Sequence, residues 1–130
     1  MSVLIVEDDP ALEHLLYTLM VRERLGVEVE RRGDVALRAI ESGRYQAIVL
    51  DLMLPGMTGF DIVRRLARER PELLRRIIVI TAVSQAQLQQ FEHHSAIWRL
   101  IRKPFDVSEF VQTVRECVRA QPQRYERSKR

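Results

Sequence analysis

The sequence predicts an α/β domain in which five parallel strands alternate with five helices. Three observations carry that expectation. Five short apolar runs, at residues 3–6, 27–30, 47–50, 77–80 and 97–101, are separated by stretches long enough for one helix each. Three of them (3–6, 47–50 and 77–80) are continuously apolar rather than alternating. That is the pattern of strands buried on both faces of a parallel sheet. The intervening segments place their apolar residues at helical spacing, as the crossovers between parallel strands require.

The elements follow in order. The strand at 3–6 leads into Asp9-Pro10. Aspartate favours the cap of a helix and proline its first position, so Asp9 is expected to cap the first helix. Leu12, Leu15, Leu16, Leu19 and Met20 form that helix's apolar stripe. The run Val27-Glu28-Val29-Glu30 alternates and is expected at an edge of the sheet. Ala36, Ala39 and Ile40 mark the second helix, and Ile62, Val63 and Leu66 the third. The fourth, over about residues 85–92, has only Ala86, Leu88 and Phe91 as apolar members, the weakest pattern and the one expected to be most mobile. Phe110, Val111, Val114, Cys117 and Val118 define the fifth, with Cys117 as a core thiol. Five strands joined this way suggest a doubly wound, flavodoxin-like sheet of order 2-1-3-4-5.

Composition narrows the function classes. A chain of 130 residues, 46% of them apolar, suits one domain with a real core. The domain is expected over residues 1–120, with 121–130 a basic polar tail or truncated linker. No apolar run approaches the ~18 residues of a membrane span. Met1-Ser2 leads directly into an apolar run of four, without the basic region or cleavage site of a secretory signal, so a cytoplasmic protein is expected. A single cysteine excludes an internal disulfide. The net charge of +3 is uneven: residues 119–130 hold five basic residues against Glu126, giving +4 and leaving −1 on the other 118. Tyr125 is the only aromatic among them. Nucleic acid is therefore not an expected partner of the domain itself.

The chemistry is expected at the carboxyl ends of the strands, where the strand order reverses between the first and third. Glu7, Asp8 and Asp9 follow the first strand, Asp51 the third, Thr81 and Ala82 the fourth, and Lys103 and Pro104 the fifth. With Asp9 set aside as a cap, Glu7, Asp8 and Asp51 would lie within a few ångströms of one another. Such carboxylates repel unless some protonate or a cation binds. Hard oxygen donors suit Mg²⁺ (or Mn²⁺). The carboxylate of Asp51 can attack phosphorus to form an aspartyl-phosphate, with Lys103 as a point cation for phosphate and Thr81 as a hydroxyl donor. His93 and His94 are expected as exposed helix-end residues, not as metal ligands or phosphodonors.

Four segments resemble the receiver domain of two-component response regulators, the CheY-like family. They are Leu4-Ile5-Val6-Glu7-Asp8-Asp9-Pro10, Val49-Leu50-Asp51-Leu52-Met53-Leu54-Pro55-Gly56-Met57-Thr58-Gly59-Phe60-Asp61, Thr81-Ala82 and Lys103-Pro104-Phe105. The resemblance spans residues 2–120. It implies Asp51 as phosphoacceptor, Asp8 as a direct metal ligand, Glu7 acting through metal-bound water, and Met53 giving its backbone carbonyl. It further implies Thr81 as switch hydroxyl, Lys103 as phosphate-binding lysine, a cis Lys103–Pro104 bond, and Pro55, Gly56 and Gly59 shaping the following loop. The expected partners are a sensor histidine kinase or phosphotransfer protein and a downstream output domain or protein, without a membrane. A weak homodimer through helix 1, or through the helix 4–strand 5–helix 5 face, could form. Such a domain catalyses its own phosphorylation and dephosphorylation rather than turning over a free substrate.

Two departures bear on switching. Leu100 stands where the family's switch aromatic lies, with Trp98 two residues earlier and expected on the same strand face. His93-His94-Ser95-Ala96 replaces the usual Gly-Ala before the fifth strand. A pseudo-receiver acting only as a binding module is the main rival. A flavodoxin-like cofactor binder would need a phosphate-cradling loop where Glu7, Asp8 and Asp9 stand, and a phosphatase of the aspartyl-intermediate type wants an acid where Met53 is.

Overall fold

In the computed structural model, which describes residues 1–122, the alternation is as expected. The elements are β1 (Ser2–Val6), α1 (Pro10–Arg22), β2 (Gly26–Glu30), α2 (Gly33–Glu41), β3 (Ala47–Leu50), α3 (Gly59–Glu69), β4 (Ile77–Thr81), α4 (Gln85–Gln89), β5 (Arg99–Arg102) and α5 (Val107–Ala120). All strand pairs are parallel, in the order β2-β1-β3-β4-β5. No helix among the described residues is long and apolar enough to cross a membrane.

The continuous apolar runs feed two cores. Leu4, Val6, Ile48, Leu50, Ile77 and Val79 pack with Ile40, Ile62 and Leu66 of α2 and α3. Their alternate neighbours Val3, Ile5, Val49, Ile78 and Ile80 pack with Leu16, Met20, Phe110, Val114 and Cys117 of α1 and α5. Burying each such aliphatic side chain contributes about 1.5–3 kcal/mol, so this central sheet is the rigid part of the domain. The edge strand β2 keeps Glu28 exposed and has no fully buried residue, as its alternation predicts.

Four local features differ from the sequence reading. Helix α4 ends at Gln89, shorter than expected; Ser84 and Gln87 start it with reciprocal cap hydrogen bonds, but none of its residues is buried, and Phe91 reaches the core only beyond its end. The chain then passes through a turn with His94 exposed and His93 half-buried. Strand β5 begins at Arg99 rather than residue 97, because pairing with β4 starts at Ile78 and Arg99. Trp98 therefore precedes the strand, and strict alternation does not extend to it. Leu100 packs on the α2/α3 side and Trp98 on the α1/α5 side, so the expectation of one shared face is corrected. A 3-10 turn over Pro71–Arg76 was not anticipated. Finally, Gln121 is no part of a solvated tail: it is buried, and its amide donates to the carbonyls of Arg75 and Cys117. The rest of the expected tail, residues 123–130, lies outside the described residues.

Candidate functional site

Glu7 and Asp51 begin where their strands end. The Glu7 amide donates to the Glu30 carbonyl at 3.1 Å, and the Asp51 amide to the Val6 carbonyl at 3.1 Å. These bonds continue the β1–β2 and β1–β3 ladders one step and set the two carboxylates side by side at the reversal point. Lys103 enters from the far edge, its amide donating to the Thr81 carbonyl at 2.9 Å. Its Nζ stands 3.0 Å from Asp51 Oδ2 and 3.3 Å from Glu7 Oε1. Three residues from three strand ends thus form one hydrogen-bonded group. Glu7 is only 2% exposed and Asp51 5%.

The remaining oxygens take backbone donors. Glu7 Oε2 accepts the amides of Asp8 and Asp9, each at 3.0 Å. Asp51 Oδ1 accepts the Met53 amide at 3.1 Å. The loop behind Asp51 is held by Gly59: a Cβ there would lie 2.5 Å from the Asp51 carbonyl oxygen, so only glycine lets α3 start this close. Thr58 and Asp61 secure that start with a capping box. Gly56 turns at φ +79°, a conformation glycine adopts without strain.

The electrostatics are unbalanced. Burial pushes the Glu7 carboxyl above its ordinary value, and the Asp51 charge adds to it; the backbone bond from Asp9 and the Lys103 cation oppose this without cancelling it. Burial pulls Lys103 down, but hydrogen bonds and charge from Asp51 and Glu7 overcome it and hold the ammonium above its ordinary value. Two carboxylates face one lysine here.

The other predicted residues fall less tightly into place. Asp9 caps α1, its Oδ1 accepting the Ala11 amide at 3.1 Å. Asp8 is exposed and outside the hydrogen-bonded group. Among the described residues no three acidic, histidine or cysteine side chains stand close enough to hold a metal between them. Lys103 bridges the Glu7 and Asp51 carboxylates. Met53 exposes its side chain, leaving only backbone toward Asp51. Thr81 is the last residue of β4 and fully buried, its hydroxyl accepting the Val83 amide at 3.3 Å. Ala82 and Pro104 are exposed, and the Lys103–Pro104 bond is cis as the resemblance implies. Leu100 and Trp98 lie at the sheet margin, outside this group. The sequence reading overlooked one feature of the rim, the Arg31–Glu13 ion pair; its only signal was an arginine directly after β2 and a glutamate in the first turn of α1.

A doubly wound sheet with a buried acid at β3, an acid pair after β1 and a lysine after β5 defines the receiver class, and the chain belongs to it: the family model for the response regulator receiver domain matches residues 3–115. Among relatives, the response regulator ArlR of Staphylococcus haemolyticus (strain JCSC1435) is 33% identical over 123 residues, 95% of this chain and 55% of that protein. ArlR of Staphylococcus aureus (strain Mu50 / ATCC 700699) is 34% identical over the same shares. The chain thus spans about half the length of these curated relatives. Among solved structures, the receiver domain of the sensor histidine kinase PA1611 from Pseudomonas aeruginosa PAO1, described with a magnesium ion coordinated in its active site cleft, superposes with TM-score 0.79 at 23% identity, covering 92% of this chain and 98% of that one. The BeF3-activated receiver domain of Klebsiella pneumoniae RstA gives 0.78 at 24% identity, covering 92% and 99%. At these identities the structural likeness speaks for the fold.

Proposed function

We propose that this receiver accepts a phosphoryl group on Asp51 from a phosphohistidine of a sensor histidine kinase or phosphotransfer protein, and that the modified domain signals to an output domain or protein in the cytoplasm. The observation that carries the reading is Asp51 itself: a buried carboxylate at a strand end with Lys103 Nζ 3.0 Å from Oδ2. An oxygen of Asp51 attacks phosphorus, the P–N bond to the donor imidazole breaks, and the imidazole leaves as the new P–O bond forms. Lys103, already oriented by its backbone bond to Thr81, offers its charge to the phosphoryl oxygens. Thr81 turns its hydroxyl from the Val83 amide toward the phosphoryl group, which alters the packing around β4 and β5 and biases the exposed surface between two states.

The donor set fits a hard divalent cation: oxygen ligands only, with two buried carboxylates and exposed Asp8 against one lysine. Asp8, Asp51 and the Met53 carbonyl would hold Mg²⁺ or Mn²⁺ directly, with Glu7 acting through metal-bound water; the ion when bound would supply positive charge to offset that of the acceptor and phosphoryl oxygens. Water then attacks phosphorus, the P–O bond to Asp51 breaks, and inorganic phosphate leaves with the carboxylate restored, so the domain resets itself without being a turnover enzyme. Intact-mass measurement after incubation with Mg²⁺ and a small acyl phosphate is the test. A gain of one phosphoryl group in wild type, absent in Asp51→Asn, is expected. No gain, or an equal gain in Asp51→Asn, would leave the pseudo-receiver reading in its place.

A further inference from the structure

The Arg31–Glu13 pair stands at the rim of this site. Extending the β1–β2 register one step past Val6 and Glu30 sets Arg31 level with Glu7 and next to Asp8. The Glu7 amide already bonds the Glu30 carbonyl, so this step is held rigidly. Glu13 rises from the first turn of α1, its amide bonded to the carbonyl of the cap residue Asp9 at 2.9 Å. Its carboxylate takes Arg31 Nε at 2.7 Å and is only 16% exposed, while Arg31 is 60% exposed. Glu13 is the one hydrogen-bond partner of the Arg31 side chain among the described residues. The charges of both Glu13 and, more weakly, Asp8 favour the guanidinium, with the Glu13 bond as the largest cause. Asp8 is exposed, and no hydrogen bond to its carboxylate is found among the described residues. Arg31 thus has two acidic neighbours and is committed to one of them.

We infer that Glu13 is a positioning residue that holds the Arg31 guanidinium away from Asp8 and so keeps Asp8 open to the divalent cation. A guanidinium matches a carboxylate in a two-pronged fork and is never deprotonated, so an Arg31 released from Glu13 turns to Asp8 and competes directly with a metal ion. The inference rests on the proposed role of Asp8. Its sign is distinctive: removing an acidic side chain that touches no metal weakens metal binding, and removing the neighbouring arginine as well restores it.

The experiment follows Mn²⁺ binding to the whole chain by electron paramagnetic resonance of the free ion. Wild type, Asp8→Asn, Glu13→Gln, Arg31→Gln and the Glu13→Gln/Arg31→Gln pair are compared. Glu13→Gln is expected to weaken binding about two- to fivefold, the size typical of one partly exposed charge pair. The double variant returns to wild-type affinity or slightly above it. Raising the salt shrinks the Glu13→Gln deficit, since exposed charges are screened beyond about 10 Å at 0.1 M. A merely structural role for Glu13 would leave the double variant as weak as the single one and the deficit independent of salt, and either result overturns the inference. If Asp8→Asn weakens binding and Glu13→Gln does not, the inference fails while the reading of Asp8 stands. A wild type that binds no Mn²⁺, or an unaffected Asp8→Asn, overturns both.

Discussion

The two ends of the sheet both bury polar side chains, and they satisfy them in different ways. At the amino-terminal end the partners are mostly fixed carbonyls. Arg76 donates to the Gly43 and Tyr45 carbonyls, each at 2.9 Å, and Gln121 to those of Arg75 and Cys117. The Tyr45 hydroxyl closes on Glu28 at 2.7 Å, with Arg44 over its ring. Most of these bonds join segments far apart in sequence. At the carboxyl-terminal end the partners are charges: Glu7 and Asp51 share Lys103, and Asp8 stands outside. The first end ties α5 and the loops to the sheet. The second is left with excess negative charge, which suits it to recruit a cation. Buried polar groups are thus paired mostly with carbonyls at one end and with charges at the other, and charge balance tells the two ends apart.

The comparison can be broken most strongly at its structural end. Arg76→Met removes a cation that covers two loop carbonyls and is expected to cost about 2–3 kcal/mol in urea melts. The loss should be the same with and without Mg²⁺. Lys103→Met is the matching change at the other end. It leaves Glu7 and Asp51 facing each other and is expected to cost about 2 kcal/mol, the penalty for stripping one partner from a mostly buried ion pair, reduced for the lysine's partial exposure. On the proposed reading part of that loss returns with millimolar Mg²⁺. Equal behaviour of the two variants toward Mg²⁺ would erase the distinction between the ends.

A smaller effect sharpens the charge argument. Glu7 binds its proton more tightly in the folded chain than its ordinary 4.5. Its carboxyl therefore contributes most to stability below that value, and the contribution falls as pH rises through the raised one. The stability of wild type relative to Glu7→Gln should decline from pH 4.5 upward; a flat difference would count against the charge imbalance. The smallest effect lies at the amino-terminal end. Burial first, then Glu28, pushes Tyr45 to about 12, so its phenol should ionise late in an ultraviolet titration and earlier in Glu28→Gln. Tyr45→Phe is expected to cost about 1 kcal/mol.

Much of this was legible before the structure. The runs at 3–6, 47–50 and 77–80 read as doubly buried strands because each of their residues faces one of two cores. Asp9 read as a cap because its side chain serves a neighbour two residues away. The capping boxes of Thr58 with Asp61 and Ser84 with Gln87 carried an equally local signal that went unread. The side on which Trp98 packs is not legible locally, for a different reason. Alternation holds only inside a paired strand, and β5 pairs on one side alone, so nothing local says where its pairing starts. Nothing local ties Gln121 to the domain, because its partners Arg75 and Cys117 meet it only when α5 packs across the foot of the sheet.

The sequence by itself determined the order of elements, the two-faced burial of the central strands, and the arrival of Glu7, Asp8, Asp51, Thr81 and Lys103 at one rim. Those follow from periodicity and from where each apolar run stops, which are properties of short segments. The tertiary structure alone decided that Lys103 bridges Glu7 and Asp51 while Asp8 stays apart, that Arg31 turns to Glu13, and that Trp98 and Leu100 serve opposite cores. Lys103 lies 52 residues from Asp51 and 96 from Glu7, so their pairing depends on the register of separate strands. Which charge a long side chain chooses is settled by distances and burial that no local pattern encodes.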